Sequence, residues 1–132
     1  MKAVKGEELI IIVEDKIGKL EEITEILKKE KINIRAINAY TQEKNAIFRI
    51  LTSNNVKTKE LLKNIAEVKT EDVVIAEIPD EVGRLNKLCL KLKEANININ
   101  YLYGTASEPQ ATAIVVFSCN DNFKAVDLIS SF

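Results

Sequence analysis

Two stretches of this chain place an acidic residue three positions before a glycine and five before a leucine: Asp15-x-x-Gly18-x-Leu20 and Asp80-x-x-Gly83-x-Leu85. Each follows an apolar, largely β-branched run and precedes a segment of helical period, so each glycine falls where a strand turns into a helix. The first amides of a helix lack intrahelical partners and carry a partial positive charge. A ligand carboxylate fits there, as anions do at helix N-termini. Glycine, without a Cβ, takes dihedrals closed to other residues and lets a ligand approach the backbone. The candidate anion donors are therefore the amides of Gly18, Lys19 and Leu20 and of Gly83, Arg84 and Leu85, with Ile17 and Val82 beside them. Asp15 and Asp80 either cap the helices by accepting from the glycine N–H or accept a ligand's ammonium group. Asn33 and Asn98 offer donor and acceptor together, which suits a zwitterion, or else satisfy local backbone at a strand entry. Tyr101 and Tyr103 lie two apart on one strand and either border a ligand or pack an interface. Arg49 stands inside an apolar strand, where a cation needs a partner. It is either a bidentate clamp for a carboxylate or one half of a structural ion pair.

Other chemistry is poorly supplied. The chain has no histidine, the commonest general base and metal ligand. Cys89 and Cys119 are far apart, match no metal spacing and read as buried, reduced core residues. No catalytic residue, metal or cofactor is expected. The net charge of −1 leaves no electrostatic footprint for nucleic acid. Residues 1–66 hold 13 Lys/Arg against 10 Asp/Glu, and residues 67–132 hold 6 against 10, a modest asymmetry that could help surfaces dock. No apolar run approaches the roughly 20 residues of a membrane span. Met1–Gly6 carries no apolar signal core, so the expected location is cytoplasmic, with no membrane partner.

The elements that must hold these residues occur twice. Val13–Leu20 returns as Ile78–Leu85 at a shift of 65, and Ile32-Asn33-Ile34 returns as Ile97-Asn98-Ile99 at the same shift. A repeat of this length is one supersecondary unit used twice. In the first unit, Glu8–Val13 reads as a strand, about Gly18–Lys31 as a helix with Leu20, Ile23, Ile26 and Leu27 inward, and Ile32 to Thr41 as a strand. Gln42–Asn45 reads as a turn, Ala46–Thr52 as a strand, and Ser53-Asn54-Asn55 as the start of a short helix carrying Leu61, Leu62 and Ile65. A brief strand near Val68 closes the unit. In the second, strand Val73–Ile78 precedes a helix over about Gly83–Ala95 with Leu85, Leu88 and Leu92 inward. Strands Ile97–Thr105 and Ala111–Cys119 flank a turn at Ser107–Gln110, and a last helix runs to Phe132. The expected domains are 7–70 and 71–132, with the second unit's final strand absent or cut off. The order βαββαβ makes a four-stranded antiparallel sheet with both helices on one face, the ferredoxin-like α+β architecture. Ile10, Ile12, Ile34, Ile50, Ile114 and Val116 cannot all point at the helices, so the open face is expected to be covered by the other unit or another subunit.

With both Asp-x-x-Gly-x-Leu copies and both Ile-Asn-Ile copies in this context, nearly the whole chain resembles the ACT domain family, and within it the small proteins made of two tandem ACT domains. The resemblance implies amino-acid binding at interfaces between two ACT domains, from this loop of one and strand residues of the other. The family often has proline before the glycine, where this chain has Ile17 and Val82, so the loop is less rigid. It often ends the helix in glycine, where this chain has Lys31 and Asn96. Asn96 tolerates a left-handed cap, whereas Lys31 there would either cost up to about 1 kcal/mol or use another ending. Arg35-Ala36 against Asn100-Tyr101 makes the two sites unequal.

The expected function is a non-catalytic amino-acid sensor in the regulation of amino-acid metabolism, acting as a homodimer or through an enzyme partner. One alternative is a separate regulatory subunit of a biosynthetic enzyme, such as acetolactate synthase. Another is an RNA-binding module, since RNA-recognition motifs share the element order. Their third strand needs stacking aromatics with basic neighbours, and Phe48 and Phe117 are single aromatics on the two corresponding strands.

Overall fold

The computed structural model describes residues 1–106 and 108–132. The strands are β1 (Lys2–Glu14), β2 (Ile34–Gln42), β3 (Asn45–Thr52), β4 (Glu67–Pro79), β5 (Ile99–Ala106) and β6 (Thr112–Cys119). The helices are α1 (Lys19–Lys29), α2 (Asn55–Leu62), α3 (Arg84–Glu94) and α4 (Asn122–Ser130). They form two compact units: Glu7–Glu71 is the first, and Met1–Gly6 with Asp72–Phe132 the second. Neighbouring strands run β2-β3-β1-β4 in the first and β1-β4-β6-β5 in the second. Each is therefore a ferredoxin-like four-stranded unit with two helices.

Two sequence expectations change here. The brief strand at Val68 and the strand at Val73–Ile78 are one strand, β4. The closing strand missing from the tail of the second unit is supplied by the head of the chain, residues 2–6 of β1. Ala3, 7% exposed, joins the second unit's core, Ser130 Oγ donates to its carbonyl at 3.4 Å, and Lys2 pairs with Glu77 at 3.1 Å. Lys2-Ala3-Val4-Lys5-Gly6, with only one large apolar residue between two lysines, carries too little hydrophobic signal to be read as a strand.

In the first unit, alternate residues Leu9, Ile11 and Val13 of β1 and Phe48 and Ile50 of β3 meet Ile23 and Leu27 of α1 and Leu62 of α2. In the second, Val74, Ala76, Ile78, Val115 and Phe117 meet Leu88 and Leu92 of α3 and Ala125 and Ile129 of α4. Both long helices end alike. Lys31 and Asn96 take positive φ of 58° and 60°. Ile32 N–H bonds Leu27 C=O and Lys31 N–H bonds Lys28 C=O, as Ile97 bonds Leu92 and Asn96 bonds Lys93, the Schellman closure. Lys31 adopts the left-handed cap despite its side chain.

The second helices repeat as well, at a shift of 67 rather than 65. Asn54 and Asp121 cap α2 and α4 by accepting from Lys57 and Lys124 N–H. Asn55 Nδ2 donates to Glu7 C=O and Asn122 Nδ2 to Asp72 C=O. Thr52 Oγ1 and Cys119 Sγ each donate to the amide oxygen of that asparagine. Cys119 is thus a buried hydrogen-bonded core residue, and burial pushes its thiol pKa above the ordinary value. Cys89, expected to be buried, is exposed; it follows Leu88 by one residue, about 100° around α3 from the inward stripe.

Candidate functional site

The two glycine turns are built alike. Gly18 and Gly83 are the N-cap residues of α1 and α3, at φ 91° and 88° in the left-handed region. A Cβ at either would meet nothing within 4 Å, so glycine is there for backbone conformation and not for space. No side chain caps either helix; Asp15 and Asp80 act instead through their own amides, bonding Lys44 C=O at 3.0 Å and Ala111 C=O at 2.8 Å. Those bonds tie each turn to the neighbouring β-hairpin. The amides of Lys19 and Arg84, expected to be free, are taken by Lys16 C=O and Glu81 C=O at 3.3 and 3.2 Å. The first i−4 bonds come from Glu22 to Gly18 and from Lys87 to Gly83, so Leu20, Glu21, Leu85 and Asn86 hold the first-turn amides.

Leu20 and Leu85 are not inward: they are 37% and 46% exposed. Helical side chains lean toward the N-terminus, so a first-turn leucine overhangs the turn rather than the sheet. Ile17 and Val82 sit fully exposed at the apices.

In the second unit Leu85 hangs over a cleft of about 550 Å³ between the α3 N-terminus and the β5–β6 pair. Asp80, Glu81 and Arg84 stand at its rim, and Ile78, Leu102, Ala113 and Val115 supply apolar walls. Arg84 bonds Glu81 Oε2 through Nε at 3.3 Å and Nη2 at 3.1 Å. Asp80 is half-buried, and no hydrogen bond or ion pair engages its carboxylate among the described residues. Tyr103 and Thr105 border the cleft, but strand alternation turns their side chains to the sheet's other face. Leu102 and Gly104 face the cleft.

The remaining expected residues lie elsewhere. Asn33 and Asn98 follow the C-terminal ends of α1 and α3, about 16 Å along an eleven-residue helix from the glycine turns. Their amides bond Ser53 Oγ and Asn120 Oδ1, and their carbonyls accept from the amides of those same residues. They tie strand ends together, and the geometry separates them from the turn of their own unit. Tyr101 does not line the cleft. Arg49 lies on the helix-free face of the first unit, with Nη1 3.0 Å from Glu8 Oε1 and 3.6 Å from Glu71 Oε1, and Nε donating to Tyr40 Oη at 3.0 Å. Its guanidinium is engaged by the protein itself.

Sequence reading missed Leu102, Gly104, Ala113 and Val115. The signal was the change of shift from 65 to 67 inside the second hairpin, which places Val115 opposite Gly104 as Phe48 is opposite Ala39. Among the described residues no cluster of His, Cys, Asp or Glu suits a metal ion, and no helix is long and apolar enough to cross a membrane.

A family model described as an ACT domain pair matches residues 4–131. Protein BT0572 from Bacteroides thetaiotaomicron is similar in structure, with TM-score 0.89 and 31% identity over 98% of this chain and 89% of that one. The ligand-free regulatory subunit of aspartate kinase from Thermus thermophilus shares the fold at TM-score 0.73 and 11% identity, over 99% of this chain and 96% of that one. Aspartokinase III from E. coli, in complex with lysine and aspartate, shares it at TM-score 0.59 and 13% identity, over 98% of this chain and 31% of that one. No curated protein sequence matches.

Proposed function

Because the chain belongs to the family of ACT domain pairs, we propose that it is a non-catalytic sensor that binds a free amino acid and regulates amino-acid metabolism in the cytoplasm. The observation that carries this reading is the cleft beneath α3, which sets an unengaged, half-buried Asp80 carboxylate and a helix's first turn at the mouth of an apolar recess. A zwitterion matches that mouth: its ammonium meets Asp80, and its carboxylate meets the Leu85 amide and the positive end of the helix. An α-amino acid carries both charged groups on one carbon, which matches that spacing.

Binding regulates only if it favours one arrangement of the protein over another. In the order β1-β4-β6-β5, β5 is an outer strand of its unit, with a row of outward amides and carbonyls open to pairing. A second copy of the chain docked there makes the homodimer through which a ligand acts.

A thermal-shift series over the twenty standard amino acids tests the reading. A ligand at 100 times its Kd adds about 2.7 kcal/mol of stability, which moves the Tm of a chain this size by several degrees. No shift from any amino acid sinks the proposal.

A second reading has its own support: the chain covers 96% of the regulatory subunit of aspartate kinase from Thermus thermophilus, which is a free-standing regulatory chain of similar extent. On this reading the output partner is a separate catalytic chain of amino-acid biosynthesis. Its co-purification with this protein from the native cell, released or tightened by the amino acid, is the expected result.

A further inference from the structure

We propose that the ligand of the second unit is an amino acid with an uncharged aliphatic side chain, and that Val115 and Gly104 admit it where Phe48 and Ala39 close the same place in the first unit. This rests on the amino-acid reading above and goes further in naming the side-chain class and the residues that select it.

The charged side chains bordering the cleft are all at the rim, where Arg84 is already tied to Glu81 and Asp80 remains for an ammonium group. Below the rim, the walls toward the sheet are Ile78, Leu102, Ala113 and Val115. A lysine ammonium or an aspartate carboxylate carried into those walls would lose its water without gaining a partner, which is strongly unfavourable. A branched or straight aliphatic chain gains from the same burial. The floor is kept open by two residues. Val115 presents a short side chain, and Gly104 opposite it has no Cβ. One built there would lie 3.0 Å from Ile114 O and 3.2 Å from Val115 Cγ2. In the first unit the corresponding pair is Ala39 opposite Phe48, whose ring is packed into the core at 6% exposure. The turns are alike, so the floor residues make the difference. Binding is therefore expected at one site per chain.

Calorimetric titration of the full chain with L-leucine, L-isoleucine, L-valine, L-lysine and L-aspartate tests this. An aliphatic member binds once per chain, Val115→Phe weakens it by about tenfold or more, and Phe48→Val leaves its affinity unchanged. If Val115→Phe does not fold, the smaller change Val115→Leu carries the test, with a loss of severalfold expected. Tighter binding of lysine or aspartate, two sites per chain, or unaltered affinity in the folded variant overturns the inference and leaves the sensor reading standing. Heat from none of these five, with a thermal shift from a polar, charged or aromatic amino acid, does the same. A complete absence of binding among all twenty removes both.

Discussion

The first and second units share a hydrogen-bonding frame down to single asparagines, yet they bury opposite chemistry on the sheet face that carries no helices. In the first, fully buried Glu8 and partly exposed Glu71 flank Arg49. In the second, Val116 stands opposite Ile75 as Arg49 stands opposite Ile10, Val73 takes the place of Glu8, and Gly6 lies beside Val73 as Glu71 lies near Glu8. Gly6 is close-packed: a Cβ there would fall 2.6 Å from Ile75 Cδ1. One fold thus tolerates an ionic cluster or an apolar contact at the same place, provided that the whole set changes together. A buried ion pair offsets its desolvation only through its partners.

Breaking one member tests that statement most severely. Arg49→Met leaves Glu8 buried without its cation and is expected to cost about 3–5 kcal/mol in urea unfolding. The set Glu8→Val, Arg49→Val and Glu71→Gly, which writes the second unit's residues into the first, is expected to cost less than that single change. A triple variant less stable than Arg49→Met would show that the two faces are not interchangeable.

The glycine turns predict equality instead. Gly18→Ala and Gly83→Ala meet no steric obstacle, so each loses only the cost of a left-handed backbone, about 1–2 kcal/mol. Matched losses in thermal unfolding are expected, with amino-acid binding impaired only by the change at Gly83. A much larger loss in one unit would mean that its turn holds more than a backbone conformation. The smallest effect concerns the helix ends. Lys31→Gly relieves a left-handed lysine and is expected to stabilise by about 1 kcal/mol, and Asn96→Gly by less. Equal gains would remove the distinction drawn between Lys31 and Asn96.

The turns were legible because their signal is local: an acidic residue, a glycine and a helix start within six positions. Most strands and helices were legible for the same reason, through period. The cleft was not, since Leu102, Gly104, Ala113 and Val115 belong to two strands whose pairing register depends on a hairpin longer by two residues than its counterpart. The role of residues 2–6 was hidden because a polar edge strand is defined by its neighbour rather than by its own pattern. Leu20 and Leu85 fitted the apolar stripe, but side-chain lean at a helix's first turn put them over the loop. Asn33 and Asn98 were expected at the site by residue type, and the length of one helix separates each from the turn of its own unit.

The sequence by itself determined the duplicated unit, its ferredoxin-like order and the two left-handed glycines, because backbone conformation and hydrophobic period are properties of short segments. Tertiary structure alone decided that the α3 turn opens onto a cleft, that Arg49 and Arg84 are already engaged by acidic partners, and which segment closes the second sheet. Those depend on register and on residues up to 127 positions apart, such as Ala3 and Ser130, whose meeting no local pattern encodes.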